Sequence, residues 1–284
     1  MKDLFITHPV KISRDAKSLK IDEGNFKKIP VSLIRSVYIF GNAELNNSAR
    51  NLLLEYSRPI YLFSSKGEFR GIIHNAKLKS NYKNRILQYK NIDNLDIAKF
   101  IVKKKIETIE HYTKRSLNRY KEKLESTKKL NEILGVEGSC SKYMFEKIKK
   151  ELEKAGIEFK GREFRPVKDR VNSLLSFSYS LYYMFLHTVI LEEGFDPYIG
   201  FLHKKRGTHM AFVSDVMEGY RVYLSAFVVK ILKRGIMKDE DFKNGIFLNY
   251  EGKKKFISYY LDFIKILDNY SFLEEIKTKL NAHL

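Results

Sequence analysis

Apolar positions in the first seventy-odd residues fall in short runs rather than at helical intervals. Leu4-Phe5-Ile6-Thr7 and Ser18-Leu19-Lys20-Ile21 predict short strands separated by polar turn residues. Val31 to Phe40, rich in Ile and Val, predicts a longer strand that ends at Gly41. Pro59-Ile60-Tyr61-Leu62-Phe63, the turn residues Ser64-Ser65-Lys66-Gly67 and Phe69 to Ile73 together predict a hairpin. Between these runs, Asn47 is placed to cap a short helix carrying Ala49, Leu52, Leu53 and Tyr56.

The period changes near Lys77. Val102, Ile106, Ile109, Leu117, Tyr120 and Leu124 recur at steps of three, four or their multiples, which predicts one long amphipathic helix with a single buried stripe. Further helices are predicted over roughly 136–154, 170–191, 215–233 and 254–281. No internal repeat or low-complexity tract interrupts them. The expected fold class is α+β: a small β-rich N-terminal domain over 1–76, then a larger all-helical C-terminal domain over 77–284.

Charge narrows the choice of partner. The 284 residues hold 53 Lys and Arg against 34 Asp and Glu, a net charge of +19. A surplus of that size repels itself and is best tolerated beside a polyanion, with DNA or RNA the closest fit. The segment from Lys77 to Leu130 alone carries 16 basic and 6 acidic residues. Those charges serve either a solvated helix face or phosphate contact. The single cysteine, Cys140, excludes an intrachain disulfide and a multi-cysteine zinc site. Met1-Lys2-Asp3-Leu4-Phe5 has no apolar signal core, so a cytoplasmic protein is expected. Val171 to Leu191 lacks formal charge and is about long enough to span a bilayer. Its many Ser and Tyr residues, with Asn172, His187 and Thr188, instead suggest a helix buried within the protein, with no membrane partner.

Three places carry candidate chemistry. Glu137, in Gly135-Val136-Glu137-Gly138, shares a helical face with Met144 and Ile148, where a carboxylate needs a pairing charge or cation. From spacing alone it reads first as a helix-start glutamate favoured by the macrodipole. Asp215 and Glu218 lie three apart and face the same way on a helix. Such a pair either begins a divalent-ion site or forms a capping box. His203 ends the run Gly200-Phe201-Leu202-His203 and precedes Lys204-Lys205-Arg206-Gly207. Beside those three cations its imidazole is expected to stay neutral, as a metal ligand must. His209 cannot be ranked by spacing.

The order of these residues resembles that of the CRISPR-associated spacer-acquisition integrase family, the universal nuclease-integrase subunit of CRISPR adaptation. The likeness runs almost end to end. It is clearest in Arg165-Pro166 through Asp169-x-x-Asn172-x-Leu174-Leu175-Ser176-Phe177-x-Tyr179-Ser180-Leu181-x-Tyr183, in Gly194-Phe195-Asp196-Pro197-Tyr198-Ile199-Gly200-Phe201-Leu202-His203, and in Ser214-Asp215-Val216-Met217-Glu218-x-Tyr220-Arg221. Gly135-x-Glu137-Gly138 matches the family's first catalytic block. Lys28-Ile29-Pro30-Val31 through Gly41 and Ser64-x-x-Gly67 look like its β domain. Ser139-Cys140 stand where small alanines are more usual, and the second acid is Glu where some members have Asp.

The resemblance implies a metal-dependent DNA endonuclease and integrase that inserts captured DNA into a CRISPR array. The family's metal ligands fall on Glu137, His203 and Glu218, for Mg²⁺ or Mn²⁺, and Asp215 matches its nearby functional acid. Tyr183 matches a DNA-contacting tyrosine, and Lys204, Lys205, Arg206 and Arg221 are placed to attract the reacting phosphate. Asn172, Tyr179 and Asp169 are expected to organise the helix and its neighbours. Implied partners are a DNA duplex with 3′ ends, the CRISPR repeat, a second copy forming a homodimer, and the small CRISPR-associated subunit of the adaptation complex. The N-terminal domain is expected to serve dimerisation and partner contacts. A hydrolytic metal nuclease and a non-catalytic basic scaffold are the competing readings.

Overall fold

The computed structural model describes residues 1–75, 82–163, 167–204, 207, 209–267 and 271–282. The N-terminal part holds two four-stranded sheets. Its strands are β1 (Lys2–Ile6), β2 (Lys11–Asp15), β3 (Ser18–Asp22), β4 (Phe26–Pro30), β5 (Ile34–Phe40), β6 (Glu44–Leu45), β7 (Ile60–Phe63) and β8 (Phe69–Ile73). One sheet has the order β1-β5-β7-β8, with β1, β5 and β7 parallel and β8 closing it antiparallel. The other runs β4-β3-β2-β6, antiparallel except where β6 joins β2. Helix α1 (Asn47–Glu55) links the first sheet's inner strands, which parallel pairing requires. Its cap is Asn46, one residue before the expected Asn47, with the side chain accepting from the Ala49 amide at 2.9 Å. The sequence reading missed β2, β4 and β6, whose charged or polar stretches lie at sheet edges or turn outward.

The inner strands β5 and β7 are covered on both sides, so most of their positions are apolar. Val37, Ile39 and Ile60 face the second sheet and α1, joining Ile12, Leu19, Ile21, Leu52 and Leu53 in one core. Alternate residues Tyr38, Phe40, Tyr61 and Phe63 face the other way, into the helical core. Tyr61 reaches furthest, its hydroxyl 2.6 Å from Thr188 Oγ1 and 3.0 Å from His187 Nδ1. Gly67, at φ +89° in the β7–β8 turn, brings the hairpin onto Phe177, whose ring would lie 2.9 Å from any added Cβ. The expected boundary between 76 and 77 falls at residues 76–81, outside the described residues.

The helical part comprises α2 (Tyr82–Lys90), α3 (Leu95–Thr113), α4 (Asn118–Glu125), α5 (Leu130–Glu153), α6 (Arg170–Glu192), α7 (Ala211–Met217), α8 (Arg221–Lys233), α9 (Tyr250–Ile264) and α10 (Ser271–Ala282). A two-stranded hairpin, β9 (Phe242–Lys243) with β10 (Phe247–Leu248), lies between α8 and α9. Three single helices expected from periodicity are pairs. The long stripe breaks into α3 and α4 at Lys114, which adopts φ +53°. The 215–233 prediction begins earlier and breaks into α7 and α8 around Glu218 to Tyr220, and 254–281 is α9 and α10. A stripe continues in phase across a short break, so apolar period alone does not reveal it.

Helix α6 passes the length and composition test for a membrane span, yet 78% of that window is buried inside the protein. It is the core helix. Asp169 caps it by accepting from the Asn172 amide at 2.8 Å. Asn172, fully buried, then holds the preceding loop through Gly161, Arg162 and Glu163.

Candidate active site

Glu137 sits eight residues into α5, not at its start, so the helix-start explanation for its charge falls away. The buried stripe of α5 is Ile133, Val136, Cys140, Met144, Ile148 and Leu152, and Glu137 rides on its flank, half-buried. Glu218 closes α7 as its C-cap with its side chain 2% exposed. This corrects the capping-box alternative for Asp215 and Glu218, because both stand at the helix's C-terminal end. An anion there meets the negative end of the helix dipole and is disfavoured unless cations compensate.

Two cations do so. Arg221 Nε donates to Glu218 Oε1 at 2.7 Å, and Lys105 Nζ donates to Glu218 Oε2 at 2.6 Å. Lys105 also donates to Ser141 Oγ at 2.6 Å and to Glu137 Oε1. All three ammonium donors are thereby satisfied. The lysine comes from the interior face of α3, between Ile101 and Ile109, and is 1% exposed. Burial alone would push its pKa down, but Glu218 and Glu137 outweigh burial and raise it. Burial likewise favours protonated Glu218, yet Arg221, Lys105 and His203 pull its carboxyl down to about 2. The pair is ionised on both sides.

His203 enters from the turn after Gly200. An added Cβ at Gly200 would meet the His203 carbonyl and Ala211, so this close approach requires glycine. Asp215, fully buried on α7, organises the turn. Its Oδ2 accepts from the amides of Phe201 (2.6 Å) and Leu202 (3.1 Å), and its Oδ1 from the amide of His203 (2.8 Å). The same Oδ1 lies 2.8 Å from His203 Nδ1. Burial would lower the histidine pKa, but the Asp215 hydrogen bond and charge raise it. The Asp215 carboxylate thus works against the expected neutrality of this imidazole by favouring its protonated form.

Glu137, His203 and Glu218 thus line one pocket of about 330 Å³, together with Lys105, Ser141, Arg162, Tyr179 and Arg221. Asp215 does not line it and reaches it through His203. Arg162, Tyr179 and Arg221 also line a larger groove of about 910 Å³, walled by Lys66, Arg70, Tyr183 and Lys253. Two guanidiniums lie over the Tyr179 ring, Arg162 at 5.5 Å and Arg221 at 5.4 Å from its centroid. Its hydroxyl is 2.5 Å from Ser225 Oγ. Tyr183 donates to the Met210 carbonyl at 2.8 Å and lies in the groove wall. Lys204 is not brought to either space: it donates to the Ile92 carbonyl at 2.8 Å and to Asp93 at 3.1 Å. Lys205 and Arg206 lie outside the described residues.

A divalent ion is tested by the donors themselves. Two carboxylates and an imidazole whose Nδ1 is already engaged, leaving Nε2, fit Mg²⁺ or Mn²⁺ in kind. As arranged, the described residues form no group of three His, Cys, Asp or Glu ready to hold one. Lys105 stands between the acids where a cation would sit.

Lys105, Arg162 and Ser141 were absent from the sequence-derived site. Only the phase of α3 separates Lys105 from Lys103 and Lys104, placing it in line with Ile101 and Ile109. Arg162 and Ser141 carry no comparable signal.

Known proteins share this architecture. A CRISPR-associated endonuclease Cas1 from Clostridium perfringens is 28% identical over 281 residues, covering 91% of this chain and 85% of its own. A solved Cas1 protein from Thermotoga maritima superposes with a TM-score of 0.86 at 24% identity, covering 99% of this chain and 95% of its own. A casposase bound to integration product superposes at 0.79 and 20% identity, covering 93% of this chain and 82% of its own. The profile of the family described as CRISPR associated protein Cas1 matches residues 4–262, nearly the whole sequence. The chain belongs to the Cas1 family of CRISPR-associated proteins.

Proposed function

We propose that this protein is a metal-dependent DNA endonuclease and integrase, cytoplasmic, which joins the 3′ end of a captured DNA fragment to a CRISPR repeat. The observation that carries the reading is the meeting of Glu137, His203 and Glu218, from three separate elements, in one pocket beside Arg221. That the same fold in a casposase holds an integration product also supports it.

Bound at Glu137, Glu218 and His203 Nε2, Mg²⁺ or Mn²⁺ would supply Lewis-acid polarisation of the scissile phosphate. The chain's own residues do the rest. Arg221 and Arg162 place two guanidiniums at the mouth shared by pocket and groove, where they orient phosphate oxygens. Tyr179 offers its ring to both of them. Asp215 holds the His203 ring through Nδ1 and fixes which nitrogen meets the pocket. Tyr183 offers an aromatic wall on which an unpaired base stacks. One phosphodiester replaces another, so joining needs no nucleotide cofactor. The protein acts as a homodimer with the small CRISPR-associated subunit of the adaptation complex, and the N-terminal sheets supply those contacts.

Glu137→Ala and His203→Ala are expected to retain duplex binding and to lose strand joining, and a chelator is expected to do the same to the wild type. Joining that persists in both variants with chelator present sinks the reading. Branched, longer products mark integration, whereas shorter pieces alone mark a hydrolytic nuclease.

A further inference from the structure

The two acids of the pocket are already paired with cations. Glu137 and Glu218 contribute two negative charges, Lys105 and Arg221 two positive ones, all joined in a single network. A dication added to that set would lie within contact distance of a buried ammonium, in a space of about 330 Å³. Like charges at such separations in a largely buried pocket repel strongly. Arg221 can stay, because it binds only Glu218 Oε1 and borders the open groove. Lys105 cannot, because its ammonium bridges the two carboxylates that the ion needs.

We propose that Lys105 is a resident counter-ion of the resting site, and that a divalent ion enters by expelling its ammonium from between Glu137 and Glu218. The inference rests on the ion-dependent function proposed above. It makes Lys105 a positioning residue that bridges Glu137 and Glu218 while no ion is bound. It also sets a threshold: the apparent affinity for the ion is its intrinsic affinity reduced by the cost of breaking the lysine contacts.

The test is Mn²⁺ binding by the full chain without DNA, followed by calorimetry, in wild type, Glu137→Gln, Lys105→Met and the Lys105→Met, Glu137→Gln double variant. Lys105→Met is expected to bind Mn²⁺ at least tenfold more tightly than wild type, and the gain is expected to vanish in the double variant. Its melting temperature without ion is expected to fall, and Mn²⁺ is expected to restore more of it than in wild type. Equal or weaker binding by Lys105→Met, with wild-type binding still abolished in Glu137→Gln, overturns the displacement. Binding that ignores Glu137 in every protein instead overturns the ion-dependent reading itself. Should Lys105→Met fail to fold, reductive methylation of wild-type Lys105, read by mass spectrometry, decides the matter. The labelling rate is expected to rise at least tenfold at saturating Mn²⁺, and an unchanged rate overturns the proposal.

Discussion

Asp215 binds His203 twice, through the backbone amide and through Nδ1, both at 2.8 Å from the same carboxylate oxygen. With the amides of Phe201 and Leu202 on its other oxygen, one fully buried side chain accepts four hydrogen bonds. Asparagine has a single acceptor oxygen, and its amide group would face donors. Asp215→Asn is therefore expected to destabilise the fold by about 3 kcal/mol and to lower strand joining at least tenfold. Denaturant unfolding and a joining assay on the folded fraction check the two separately. Retained joining would show that the ring needs no anchor.

Glu218 pairs with two cations at the end of α7. Glu218→Gln leaves the buried Lys105 with only Glu137 as its anionic partner, and is expected to cost about 3 kcal/mol of stability. Removing one negative charge beside the groove is expected to leave DNA binding equal to wild type or tighter, while joining disappears. Weaker binding by a folded variant, measured by fluorescence anisotropy at fixed salt, would contradict this arrangement.

Much of this was legible in the chain. The β-to-helix division shows in the change of apolar period, and α6 shows in its uncharged run. Glu137, His203 and Glu218 were legible by order and setting, and the fold brings them together. What the sequence does not carry is partnership. Lys105 looks like its neighbours Lys103 and Lys104 until α3 is packed. Lys204 looks like a phosphate ligand until Asp93 is found beside it. The carboxylate that holds His203 is that of Asp215, twelve residues away on α7, and nothing in the local sequence pairs the two.

His187 gives a pH dependence away from the active site. Burial, then the nearby His74, lowers its pKa to about 4, against an ordinary value of 6.5. The folded protein thus holds it neutral where the unfolded chain would take up a proton. Its contribution is present above pH 6.5 and is lost as pH falls towards 4, in total about 3 kcal/mol. Urea unfolding of wild type at pH 7 and pH 4 is expected to differ by about that much more than for His187→Gln. Identical pH dependences would show that the ring is protonated in place.

Gly67→Ala is expected to destabilise by about 1–3 kcal/mol. The residue sits at φ +89°, and the new methyl would press on Phe177. Joining per folded molecule is expected to be unchanged. A melting curve equal to wild type would place the hairpin further from α6.

Because Tyr38, Phe40, Tyr61 and Phe63 share one core with α6, the strands have no hinge of their own against that helix. The helix that carries Tyr179 and Tyr183 into the groove therefore rests directly on those strands. Packed rings, rather than a loop, thus join the strands to the wall of the groove.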